Sequence, residues 1–284
     1  MATESKDLAF KDAELIIIAI PTNYDESIDF FDTAKLEELI KDILVGKVLG
    51  QFFTQPDVKT IMVDLIDPQV NDDGSIETLC DPTMGTGGFL ISYIKKIKEQ
   101  AELKGVDLDW NFIKTQGLYG REIDPDTFQL ANANMLISTG NIIDNVSYGD
   151  SIRNPLDIKV DNILANPPFG IKGLKYNSFN YKTKADHMPI KVDNAVLLVL
   201  QSIIHMLKIN GKCAIVLPDG KELFSPQLMN IRQYLMKTCD LQKIIHLPSG
   251  MFTNTSISTC IFYFVKKVEG ESVLTTKISY SKTT

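Results

Sequence analysis

From about Gly74 onward, short β-type runs alternate with helical stretches, and this constrains the 284-residue chain more than any other feature. The strand candidates are IETLC (76–80), GLYGR (117–121), NVSY (145–148), NILA (162–165), CAIVL (213–217), KIIHL (243–247) and STCIFYFV (258–265). Helical patterns fall between them at 88–104, 127–139, 192–207 and 227–238. Such alternation specifies a doubly wound, mostly parallel α/β sheet. The last two strands are joined by PSGMFTNTSI without a helix, so the final strand is expected to enter antiparallel. The expectation is a seven-stranded sheet of Rossmann-like type.

The loops at the carboxyl ends of these strands carry the informative residues. LCDPTMGTGGFL follows the first strand and opens a helix. Gly85, Gly87 and Gly88 there let the backbone take positive φ and approach a ligand closely. The loop is neither G-x-G-x-x-G nor a P-loop, and Asp81 at its start would repel a pyrophosphate but favour a cation. A tight turn without a ligand fits the same residues. Glu122 closes the second strand, where an acid can accept both hydroxyls of a ribose; a surface acid is the alternative, with Asp124 or Asp126 capping the next helix. Asp150 follows the third strand in YGDSI, where a lone Asp is ordinarily a turn residue. Three acids after the first three strands would all line the crevice in which open α/β sheets bind ligands.

The fourth strand ends abruptly in Asn166-Pro167-Pro168-Phe169. Neither proline can donate to a sheet ladder, and the residue before a proline is held extended. Asn166 offers an amide oxygen, Pro167 and Pro168 keep their carbonyls available on a stiff backbone, and Phe169 supplies a flat face. Together they suit an exocyclic NH₂ on a planar ring. Two acceptors drawing on its hydrogens localise the nitrogen lone pair for attack, which is what methyl transfer to an aromatic amine requires.

With these motifs in hand, residues from about Gly50 to Lys266 resemble the N6-adenine methyltransferases of DNA, most closely the modification subunit of type I restriction–modification systems. GQFFTQPDV resembles the family's G-x-F/Y-T-P element and DPTMGTGGFL its Gly loop. REIDP, GDSI, NPPFG, GKCAIVLPDG and LPSGMFTNTSISTCIFYF follow in the family's order. The resemblance implies a methyltransferase fold, S-adenosylmethionine as cofactor and adenine N6 in DNA as acceptor, the base being flipped from the duplex. It would put Phe53, Thr54, Asp81, Gly85, Gly87 and Glu122 on the cofactor, with Asp150 near its adenine amine. Asn166, Pro167, Pro168 and Phe169 would hold the target base, with Phe252 packing on it. It also implies a separate DNA-specificity subunit as partner. Two departures stand out: Gln55 intervenes between Thr54 and Pro56, and Thr83-Met84 replaces a smaller pair in the Gly loop. A methyltransferase acting on RNA or protein glutamine, or a cofactor-binding subunit that needs a partner to act, are the alternatives.

Upstream, residues 34–44 and the stretch from Pro56 read as helices, with Thr54 or Asp57 as cap of the second. The division expected is a 1–45 extension and a 46–284 catalytic domain. Residues 12–44 separately resemble a strand–loop–helix unit of UDP-glucose dehydrogenases, including P-T-x-Y-D, but the dinucleotide Gly fingerprint that should precede it is missing from the eleven residues before it. About twenty residues follow the last strand, too few for a target-recognition domain. The segment 170–191 holds five lysines against one acid, interleaved with Tyr176, Phe179 and Tyr181, and reads as a mobile phosphate-contacting loop or simply a solvated one.

Composition narrows the rest. A net charge of −7 requires any nucleic-acid contact to come from a local patch or a partner. Cys80, Cys213, Cys239 and Cys260 are scattered and read as reduced core residues of a cytoplasmic or nuclear protein, cytoplasmic being the expectation. His187, His205 and His246 show no ligand spacing, so no metal is expected and His205 and His246 read as structural. No apolar run approaches the roughly 18 residues a bilayer span needs, and no secretory signal is expected.

Overall fold

Leu79, Cys80 and Asp81 are all buried and form β1 (Leu79–Asp81), an interior strand of the main sheet. In the computed structural model, residues 24–25, 30–31, 54–171, 174–219, 228–248, 258–268 and 280–282 are described. The other sheet strands are β2 (Leu118–Glu122), β3 (Val146–Tyr148), β4 (Val160–Ala165), β5 (Leu207–Pro218), β6 (Cys239–His246), β7 (Thr259–Lys266) and β8 (Tyr280–Lys282). Their order across the sheet is β8-β6-β7-β5-β4-β1-β2-β3. Only β7 runs antiparallel, between β5 and β6. The seven expected strands and the antiparallel return are therefore present. The short β8, parallel to β6, adds an edge strand that the apolar pattern did not suggest.

The helices follow from local chemistry. Helix α1 (Pro56–Ile66) starts with proline in its first turn, where no N–H partner is needed. Its cap is Gln55, which makes no side-chain cap bond, rather than the expected Thr54 or Asp57. Helix α2 (Gly88–Lys104) lies between Gly87 and Gly105, both left-handed. Helix α3 (Pro125–Thr139) is capped by Asp124, whose carboxylate accepts from the Thr127 N–H at 2.8 Å. After α4 (Tyr181–Asp186) comes α5 (Ala195–Met206), capped by Asn194 and buried on nearly every side, as its run of Val, Leu and Ile requires. Helix α6 is Met229–Thr238.

The chain lays β1, β2 and β3 outward in one direction, then returns to place β4 beside β1. Neighbouring strands leave their connections on opposite sides here, so a crevice opens at the carboxyl ends of β1 and β4. The opposite edge is closed by structural polar contacts. Asp161 accepts from Thr78 and Lys208, and buried Asn162 donates to Glu77 and Tyr93.

Residues 15–20 and 34–44 lie outside the described residues. Within the amino-terminal segment, Tyr24–Asp25 and Phe30–Phe31 pair antiparallel, and Phe30–Phe31 lies near α3. No helix among the described residues is long and apolar enough to cross a membrane.

Candidate active site

Three loops meet at the switch-point crevice. After β1 the chain turns through Pro82 to Gly87, with Gly85 at φ +55° and Gly87 at φ +83°, backbone that an L side chain would strain. A Cβ on Gly85 would meet nothing within 4 Å, so the loop shows bare backbone to open space there. The loop is tied to β2 twice: the Met84 N–H donates to the Arg121 carbonyl at 3.1 Å, and the Gly85 N–H to Glu122 Oε2 at 2.9 Å. Ser151, after β3, donates to the Pro82 carbonyl and brings in the third loop.

The three acids differ in state. Asp81 is fully buried. Its Oδ1 accepts from the Thr83 N–H at 3.1 Å, while Oδ2 is buried without a hydrogen-bond partner among the described residues. Burial pushes its carboxyl well above the usual range; the Thr83 N–H opposes this and the Glu122 charge adds to it. Glu122 is buried too, and burial raises its carboxyl, against the N–H groups of Asp124, Gly85 and Ile123. Asp150 behaves as the turn residue its context allowed, accepting from the Ile152 and Arg153 N–H groups at 2.8 and 3.0 Å and pairing with the Arg153 guanidinium at 2.7 Å. It nonetheless stands at the same edge as the other two.

The Asn-Pro-Pro-Phe corner leaves β4 beside this group. The Asn166 amide donates to Thr54 Oγ at 3.1 Å, joining the corner to the upstream Phe-Thr element across 112 positions of sequence. Asn166 and Pro168 are partly exposed and Pro167 is buried. Phe169 is only 8% exposed, so its ring is packed into the core rather than offered to solvent. Phe53 and Phe252, both expected at the site, lie outside the described residues.

The following segment departs from expectation. Phe179 is buried, and Tyr176 packs edge-on against it while its hydroxyl donates to the Met188 carbonyl at 2.8 Å. These rings anchor the segment to the domain, and the buried Phe179 is not available to stack on bases. Lys175 remains exposed beside Asp193.

Sequence reasoning also missed three residues. Ile123 and Tyr148, at the ends of β2 and β3, are more than half exposed and present apolar surface beside Glu122. For Ile123 the signal was there: an apolar residue directly after a strand-ending acid has no core to fill. Lys59 is buried, and its Nζ would stand 3.1 Å from a Cβ added to Gly88, placing an ammonium at the start of α2. Only the packing of α1 on α2 reveals it.

A family model described as N-6 DNA Methylase matches residues 31–282, spanning the Gly loop, the acids and the corner. The chain belongs to that family. Among its N-6 methylase relatives, the EcoEI type I restriction enzyme methylase subunit of Escherichia coli is 30% identical over 242 residues, covering 81% of this chain and 45% of that protein. The HindI methylase subunit of Haemophilus influenzae is 32% identical over 235 residues, with 80% and 49% covered. The crystal structure of the type I restriction enzyme EcoKI M protein matches with a TM-score of 0.63 at 27% identity, covering 82% of this chain and 47% of that one. The chain thus spans about half the length of the curated relatives it matches. Residues 31–44, part of the stretch resembling a dehydrogenase, fall inside the N-6 DNA methylase match.

Proposed function

We propose that this chain transfers a methyl group from S-adenosylmethionine to the N6 amine of adenine in DNA, as the modification subunit of a type I restriction–modification system. One observation carries the reading: the strand order brings the glycine loop, Glu122 and Asp81 to the same sheet edge as the Asn166 corner, whose amide donates to Thr54.

The residues present fit the cofactor. A buried carboxylate oxygen without a partner among the described residues, on Asp81, is complementary to a cation such as an ammonium or sulfonium. Gly85 leaves room for close backbone approach, Glu122 suits ribose hydroxyls, and exposed Ile123 and Tyr148 suit an adenine ring. Thr54, Gly87, Asp150 and Phe53 complete the proposed set. When bound, the cofactor supplies an electrophilic methyl group. The Asn166 side-chain oxygen and the Pro167 carbonyl accept hydrogen bonds from the target amine and fix its lone pair toward that methyl. Pro167 and Pro168 keep the acceptors in place without reorganisation, so rate enhancement comes from positioning and fixed dipoles. Phe169 becomes a platform for the flipped base only if its ring turns out of the core.

In this reading residues 46–284 form the catalytic domain and residues 1–45 an extension. A separate specificity subunit reads the DNA sequence, consistent with the net charge of −7, which disfavours tight unaided binding to phosphate. The test is methyl transfer with labelled S-adenosylmethionine against duplex DNA, RNA and protein in parallel, with and without the Asn166→Ala substitution. Label in RNA or protein alone would replace the DNA reading with one of those.

A further inference from the structure

We propose that Asp157, His187 and His205 form a binding site for one divalent transition-metal ion, which clasps the segment following the Asn166 corner onto the body of the domain. The three residues come from separate elements: the loop between β3 and β4, the residue that ends α4, and the last turn of α5. No spacing in the sequence links them, so only the fold brings them together. Each offers one donor atom, and these atoms all lie within 4.8 Å of one another. Donors around a tetrahedral ion stand roughly 3.4 Å apart, so side-chain movements of about an ångström close the set.

The surroundings suit a ligand set. The two imidazoles are in contact, with ring centroids 4.1 Å apart and planes inclined by 47°. His187 is 5% exposed, and Ser202 Oγ lies 3.4 Å from its Nδ1, holding the orientation of the ring. Asp157 is exposed at the mouth of the group. Asp157 and His187 also line a cavity of about 450 Å³ with Asn154, Pro155, Asn180 and Thr183, which gives an entry path and room for water on the open coordination positions. Two nitrogens and one carboxylate oxygen select zinc, iron, nickel or copper over magnesium or calcium, which prefer oxygen alone. Lys159 and Lys266 donate to the His205 carbonyl; Asp157 opposes the charge of Lys159, and Asp186 opposes both lysines at His205.

The consequence would fall on the segment 174–193. It follows the Asn-Pro-Pro-Phe corner, and the metal would fasten its His187 end to α5 and to the β3–β4 loop. The inference does not depend on which group the enzyme methylates.

Zinc titration of the full chain against a chromophoric chelator tests it. One ion should bind per chain, and Asp157→Asn and His205→Gln should each weaken binding at least about tenfold. Asp157→Asn changes an exposed residue and keeps the fold intact if His187→Ala does not. Cobalt(II) should give visible ligand-field bands without thiolate charge transfer, and zinc should slow amide exchange across 174–193. A folded wild type that binds no zinc, or both substitutions leaving affinity unchanged, would overturn the proposal.

Discussion

Replacing Asp81 by asparagine separates what this carboxylate costs the fold from what it contributes to the ligand. Asp81 is fully buried, satisfied at Oδ1 by the Thr83 N–H and at Oδ2 by nothing among the described residues. Leaving a buried polar group unpaired costs about 1–3 kcal/mol, and more when it is charged. Asparagine keeps the shape and the Oδ1 acceptor but removes the charge. The asparagine NH₂ is itself unpaired there, so the ligand-free protein should gain only the excess that the charge adds at neutral pH, about 1 kcal/mol or a rise of roughly 2–4 °C in Tm. The pH dependence follows from the raised carboxyl. An acid whose folded pKa is raised contributes stability that is fully present below its unfolded value of 3.8 and is lost as pH climbs through the folded value. Wild-type stability should fall over that window above pH 3.8, and Asp81→Asn should flatten the fall. Cofactor affinity should move the other way, because a cationic ligand loses its counter-charge. Urea unfolding across pH, with calorimetry of S-adenosylmethionine binding, measures both. A variant less stable than wild type at neutral pH that binds the cofactor equally well would refute the reasoning.

Glu122→Ala should lower stability by about 2–4 kcal/mol, because the N–H groups of Gly85 and Asp124 lose a charged acceptor, and should weaken cofactor binding in calorimetry. Glu122→Gln should destabilise nearly as much, since its NH₂ must face one of those two donors; a silent Gln variant would remove the carboxylate from this role. Asn166→Ala should abolish methylation while the cofactor dissociation constant holds, and a parallel loss of both would make the corner structural. Gly211→Ala should cost about 1–3 kcal/mol by denaturant unfolding, because the added Cβ falls 2.8 and 2.9 Å from the Lys208 and Asp161 carbonyl oxygens and backbone must shift.

The sheet was legible because its strands are short apolar runs bounded by breakers, and burial of both faces of a parallel sheet leaves that mark. Helix starts were legible where a side chain caps, as at Asp124, and misplaced where none does, as at Gln55. Strand β8 carries only Tyr280, Ser281 and Lys282, and a polar edge strand has no apolar pattern to read. At the site, the acids and the Asn166 corner were legible because each terminates a recognisable strand. Their hydrogen bonds were not, since Gly85–Glu122 and Thr54–Asn166 are long-range contacts set by packing. Alternating lysines and aromatics suggested a loop for nucleic acid, yet Phe179 and Tyr176 face inward; composition alone cannot tell an anchor from a platform. His205 was read as structural and His187 showed no ligand spacing, while the fold sets His187 against His205. Burial together with His187, Lys159 and Lys266 lowers the His205 imidazole to about 4.

The central claim is that the Asn166 corner presents an adenine amine to a methyl donor held by the glycine loop. Tritium transfer from labelled S-adenosylmethionine to duplex DNA, with nucleoside analysis of the product, tests it most directly. The account predicts label in N6-methyladenine for the wild-type chain and none for Asn166→Ala. Label in another base, or equal label with Asn166→Ala, would contradict it.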